Sequence, residues 1–80
     1  MNTYKLTHRA NCPNGNLVDS YKITLRSPWS IQVEKILQTL KDAPPEIYQE
    51  DLATLLRDTL GAETTIVGTH HGVEIISVRK

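Results

Sequence analysis

Leu17-Val18-Asp19-Ser20-Tyr21-Lys22-Ile23-Thr24-Leu25-Arg26 alternates in character along most of its length. Tyr21, Ile23 and Leu25 share one side, while Ser20, Lys22, Thr24 and Arg26 share the other. A period of two marks a strand with one buried and one wet face, because successive side chains of an extended chain point to opposite sides. Upstream, Tyr4, Leu6, His8 and Ala10 alternate with Lys5, Thr7 and Arg9, which predicts a strand of the same kind. The segment between them is Asn11-Cys12-Pro13-Asn14-Gly15-Asn16. Asn-Gly accommodates positive φ and proline fixes φ, so the two strands are expected to form a β-hairpin.

Downstream the period changes. Ser27-Pro28-Trp29-Ser30 breaks the strand, and Ser30 is the expected N-cap of a helix over 31–41, its hydroxyl accepting from a free helix N–H. Val33, Ile36, Leu37 and Leu40 form the apolar stripe of that helix, and Ala43-Pro44-Pro45 ends it. A second helix is expected over 46–60, with Tyr48, Leu52, Leu55, Leu56 and Leu60 as its stripe. Glu46, Glu50 and Asp51 fall in its early turns, where the macrodipole favours anions, and Gly61 is a natural terminator. The β-branched runs 64–69 and 73–79 flank His70-His71-Gly72 and predict a second hairpin. The expected class is α+β, one domain over 1–80: a ββααββ unit with an antiparallel four-stranded sheet and two helices on one face. Val73 and Ile75 lie on one side of the last strand, Ile76 and Val78 on the other. Two helices cover only one face, so the second apolar face predicts self-association.

Composition narrows the function. Nine Lys+Arg balance nine Asp+Glu over 80 residues, which argues against a protein dominated by phosphate-backbone binding. A single cysteine excludes an intramolecular disulfide. With 39% hydrophobic residues and no Phe, the core is thin and aliphatic, and a domain of this size leans on metal, partner subunits or marginal stability. No apolar run is long enough to cross a bilayer, and Met1-Asn2-Thr3-Tyr4-Lys5 is no signal peptide, so the expected location is the cytoplasm.

Few residues carry chemistry. Cys12 sits in a polar turn rather than an apolar run; it is either an exposed cysteine without a role or a nucleophile. Asp19 has the parity of Tyr21 and Ile23, so it is either an acid on the apolar side with a raised pKa or a strand-end residue reaching water. Glu50 lies nearly opposite the leucine stripe and reads as solvated in a monomer; a cleft or subunit contact would give it a role. His70 and His71 are candidate zinc ligands with Cys12, but neighbours in a strand face opposite ways and no metal spacing is present. His8 on an apolar face reads as a core histidine.

The element order and several motifs resemble the tunnelling fold, most closely the 7-cyano-7-deazaguanine (preQ0) nitrile reductases and related amidinotransferases. In that family a Cys-Pro turn precedes a strand carrying an Asp seven positions after the Cys, as Cys12-Pro13 and Asp19 do here. The family's second helix starts His-Glu-Asp, and Gln49-Glu50-Asp51 is similar; Gln49-Glu50-Asp51-Leu52 also resembles the purine-binding element of GTP cyclohydrolase I. Val67-Gly68-Thr69-His70-His71-Gly72-Val73-Glu74-Ile75 resembles the closing hairpin. The resemblance covers roughly residues 10–76 and implies that Cys12 adds to a deazaguanine nitrile to give a thioimide. It further implies that Asp19 shuttles the proton and Glu50 pairs with the guanine-like edge, with Gln49, His70 and His71 completing the purine or pterin site. The sites of the fold lie between subunits, which implies a homo-oligomer. The reductases' NADPH segment is not preserved in Gln32-Val33-Glu34-Lys35-Ile36-Leu37, so no cofactor is expected and transfer to ammonia is preferred. The metal cysteine of GTP cyclohydrolase I falls on Gly72, and no metal is expected. The ligand is a small molecule, free or carried in a modified nucleic acid. The alternative is a non-catalytic member that binds a ligand or assembles.

Overall fold

The structure, a computed structural model, describes residues 1–11 and 18–80, with the backbone alone at 10, 11, 18 and 19. The expected turn around Cys12, and Leu17, lie outside the described residues. Six elements follow in the order β1 (Asn2–Asn11), β2 (Val18–Ser27), α1 (Val33–Asp42), α2 (Gln49–Leu60), β3 (Glu63–His70) and β4 (Val73–Arg79). The strands form one antiparallel sheet in sequence order, β1-β2-β3-β4. This is the ββααββ arrangement expected from the periodicities.

The register shows why the alternation works. Leu6, Ile23, Ile66 and Ser77 stand in one row across the sheet, and Tyr4, Leu25, Thr64 and Arg79 in another. These rows face the helices. Tyr21, Ile23, Leu25 and Ile66 are buried against Ile36 and Leu40 of α1 and Leu52, Ala53, Leu56 and Leu60 of α2. The helices occupy this face alone, so Ile76 and Val78 of β4 remain exposed on the other. At the C-terminal end of β4, Arg79 Nε donates to Thr54 Oγ1 at 3.0 Å, and Arg57 of α2 donates to the carbonyl of Lys80, just past the strand, at 3.2 Å.

Both helices begin later than their periodicity predicts. α1 starts at Val33 with Gln32 as the cap, not at Ile31 behind Ser30. The Ile31 N–H is held by Tyr4 Oη at 2.9 Å, and the Gln32 carbonyl accepts from Lys35 and Ile36. With Ile31 tethered, the extended cap residue is Gln32, and the Ser30 hydroxyl instead meets Asn2. α2 starts at Gln49, not Glu46. Ile47 is partly buried against the core, and Tyr48, extended at φ −68° and ψ 149°, is the cap from which the helix starts. The stripes shift accordingly. Val33 and Leu37 are more than half exposed, Tyr48 is exposed at the cap, and Gln49 and Ala53 take the buried positions. Gly61 ends α2 at φ 64°, where its N–H donates to the Arg57 carbonyl. His71 and Gly72 form the second hairpin's turn with φ of 52° and 81°, the pairing that matches the twist of a two-residue hairpin.

His8 is half-buried opposite Tyr21, and burial lowers its pKa from the ordinary 6.5. The unfolded chain therefore takes up this proton before the folded one, and stability contributed by the neutral ring is lost as pH falls through that range. Thermal melts between about pH 7.5 and about pH 5.5 should show a steeper loss for the wild type than for His8→Gln. Parallel pH profiles for the two proteins would contradict this assignment.

Candidate functional site

The two hairpins part at one end of the sheet. Among the described residues the β2–β3 ladder runs from Arg26↔Glu63 to Lys22↔Val67. The β1–β2 ladder continues beyond it to Asn11↔Val18, and the β3–β4 ladder to His70↔Val73. The start of α2 rests over this same end. Tyr21, fully buried, lies there with its ring centroid 6.2 Å from that of His70 and tilted by 43°.

Gln49 is the polar centre of this end. It is 5% exposed, and its Nε2 donates to the carbonyls of Ile66 at 3.0 Å and Ile75 at 2.9 Å and to Ser77 Oγ at 3.1 Å. Carbonyl oxygens only accept, so these contacts fix which end of the amide faces the strands. The other end, Oε1, is buried and has no hydrogen-bond partner among the described residues. It is an acceptor available to an N–H or O–H group. Gly68 creates the room for it. A Cβ at that position would collide with Gln49 Oε1 and come within 2.8 and 2.9 Å of the Tyr21 ring.

The other sequence-predicted residues distribute around this centre. Glu50, next to Gln49 in the first turn of α2, is exposed. His70 is half-buried against Tyr21, whereas His71 is exposed in the turn. Cys12 and the Asp19 side chain lie outside the described residues. Their neighbours are described: Asn11, which precedes Cys12, pairs with Val18, which precedes Asp19. The described structure thus brings Gln49 and His70 to one end with Tyr21 and Gly68, and leaves Glu50 and His71 at its surface. Among the described residues no three His, Cys, Asp or Glu side chains gather as metal ligands would. Tyr21, Gly68 and Ser77 carry no chemical signature in sequence. A glycine interrupting the β-branched run Thr64-Thr65-Ile66-Val67 was the one available signal, because it marks a close approach of other groups to the strand.

Two substitutions test this centre. Gly68→Ala should destabilise the protein by about 1–3 kcal/mol in urea unfolding, since a buried ring and amide must move. Gln49→Glu should destabilise it strongly near neutral pH, where a carboxylate would face two carbonyls, and recover as pH falls and the carboxyl regains a proton to donate. A Gln49→Glu protein as stable as wild type at neutral pH would refute the hydrogen-bonding scheme.

No protein-family model matches the chain, and no curated protein matches it significantly. Among solved structures, the apo crystal structure of the archaeosine synthase QueF-Like superposes with a TM-score of 0.78. The match covers 98% of this chain and 89% of that one, at 21% sequence identity. No helix is long and apolar enough to cross a membrane among the described residues. The element order, sheet topology and helix placement of this chain are those of the tunnelling fold.

Proposed function

We propose that the chain binds a 7-cyano-7-deazaguanine-type ligand and forms a thioimide with it through Cys12. The observation that carries this reading is the fold likeness to an archaeosine synthase over nearly the whole chain. The seven-residue spacing of Cys12 and Asp19 in the sequence supports it. In the proposed reaction the Cys12 thiolate adds to the nitrile carbon, a C–S bond forms, and the nitrile π pair moves to nitrogen. Asp19 supplies the proton that nitrogen takes. Ammonia then adds to the thioimide carbon, one of its protons passes to the Asp19 carboxylate, and the C–S bond breaks to release the Cys12 thiolate and an amidine. No hydride donor enters this route, in keeping with the unmatched NADPH segment.

Glu50 is proposed to accept from the ring's guanine-like edge, with Gln49, His70 and His71 around it. A carboxylate accepts two N–H donors side by side, and the buried Gln49 Oε1 offers a third acceptor next to it in the chain. Because Glu50 faces outwards, the proposal includes a neighbouring copy whose hairpin end completes the site. The exposed Ile76 and Val78 support self-association. The alternative is a non-catalytic protein that binds or assembles only; the commitment of Gln49's donors to the protein's own strands favours it.

Incubation with 7-cyano-7-deazaguanine followed by intact-mass analysis should show an adduct that Cys12→Ala abolishes and Glu50→Gln weakens. Ligand binding that survives Cys12→Ala with no adduct on the wild type would establish the non-catalytic alternative.

A further inference from the structure

The two inner strands meet the fork from opposite sides. β2 and β3 keep one register from Arg26↔Glu63 to Lys22↔Val67; each step towards the fork goes one residue back along β2 and one forward along β3. Three further steps bring Asp19 level with His70. Each of these residues is held on its own hairpin, Asp19 by pairing with Ala10 and His70 by pairing with Val73. Asp19 and His70 are therefore register counterparts on the two lips of the opening. His70 also shares the parity of Thr64 and Ile66, which are buried beneath the helices, so it belongs to the covered face. Its ring is half-buried, with its centroid 6.2 Å from that of Tyr21.

The other candidate proton carriers of this end are placed elsewhere. The Gln49 amide has its donors committed to three acceptors, and an amide takes up no proton near neutral pH. His8 stands on the outer strand of the first hairpin, opposite Tyr21. Glu50 is exposed on α2, and His71 is exposed in the turn. Glu74 pairs with Thr69 and lies on the open face. Lys22 is exposed on the open face of β2. Among the described residues, His70 is the one imidazole carried by an inner strand at the fork.

We propose that His70 is the base that frees ammonia for the second step of the thioimide reaction, the reading on which this inference rests. At neutral pH ammonia is mostly ammonium, whose nitrogen has no free electron pair. An imidazole nitrogen of His70 takes one proton from ammonium, and the ammonia so formed gives its pair to the thioimide carbon. A second proton passes to the Asp19 carboxylate, and the C–S bond breaks. The proton held by His70 then goes to the amidine, which leaves as an amidinium ion. Nitrile plus ammonium gives amidinium, with the thiolate, the Asp19 carboxyl and the neutral imidazole all restored. The two lips divide the work: Asp19 serves the nitrogen of the nitrile, and His70 serves the incoming nitrogen. An imidazole suits this task because it both takes up and returns a proton near neutral pH.

The experiment starts from preformed adduct. Wild type, His70→Gln and, as a histidine control away from the fork, His8→Gln are loaded with 7-cyano-7-deazaguanine and freed of excess ligand. Ammonium chloride is then added at neutral pH, and mass spectrometry follows adduct loss and amidine release. Release should be about 100-fold slower in His70→Gln and close to wild type in His8→Gln. Hydroxylamine is largely unprotonated at neutral pH and needs no base, so it should discharge wild type and His70→Gln at similar rates. That similarity would separate a missing base from a disturbed site. Ammonium discharge of His70→Gln at the wild-type rate would overturn the inference and leave the thioimide reading standing. The same holds if hydroxylamine is slowed as much as ammonium, or if His70→Gln forms no adduct while wild type does. Absence of an adduct on wild type would overturn the thioimide reading, and the role of His70 with it.

Discussion

The amide of Gln49 joins three elements, α2, β3 and β4, through one polar side chain. Its nitrogen reaches a carbonyl on β3, a carbonyl on β4 and a hydroxyl on β4 from the first residue of α2. Much follows from that one clasp. It fixes where α2 begins and how its first turn is rotated, and so it turns Glu50 outwards while Gln49 points in. It requires a glycine at position 68 and presses the Tyr21 ring against the same spot. The carbonyl end of the amide is left as a buried acceptor with no hydrogen-bond partner among the described residues, next in the chain to an exposed carboxylate.

The sheet's two faces answer to different constraints. The covered face is constrained by volume: aliphatic side chains and one tyrosine fill the space beneath two short helices. The open face is free of that constraint, and its composition divides between the hairpins. β1 and β2 present cations and hydroxyls, whereas the β3–β4 half presents Val67, Ile76 and Val78 among Thr65, Thr69, Glu63 and Glu74. Neutrality of the whole chain is therefore a sum over an acidic helical layer and a basic hairpin, and it conceals the field that a partner at either surface meets.

Strand positions were legible from the residues because a period of two leaves little freedom: a slip by one residue in β2 would turn Tyr21, Ile23 and Leu25 into water. Helix starts were less legible. Ser30 has the chemistry of a cap, but Tyr4 Oη, distant in sequence, captures the neighbouring backbone and delays α1. Val33 and Leu37 fit a helical stripe, yet α1 packs through Ile36 and Leu40 alone, and periodicity cannot tell how wide a face will be covered. At the candidate site the resemblance drew attention to Gln49 through its neighbours Glu50 and Asp51. Its burial depends on carbonyls of β3 and β4, and a backbone carbonyl is present at every residue, so no residue type announces it. Tyr21 reads as core from its parity, and only the third dimension places His70 beside it.

The strand register also fixes where the ends of the chain leave the sheet. Asn2 pairs with Ser27, and Arg79 pairs with Thr64, so both ends emerge on the side where Arg26 meets Glu63. The parted hairpins and the start of α2 are on the opposite side. Four strands in sequence order put the two ends on opposite edges, about 14 Å apart by strand spacing. A tag, a surface tether or a fused second copy attached at either end would hang on the side away from the parted hairpins and the start of α2. A linker of about half a dozen residues would bridge the two ends and permit a circularly permuted chain opened elsewhere.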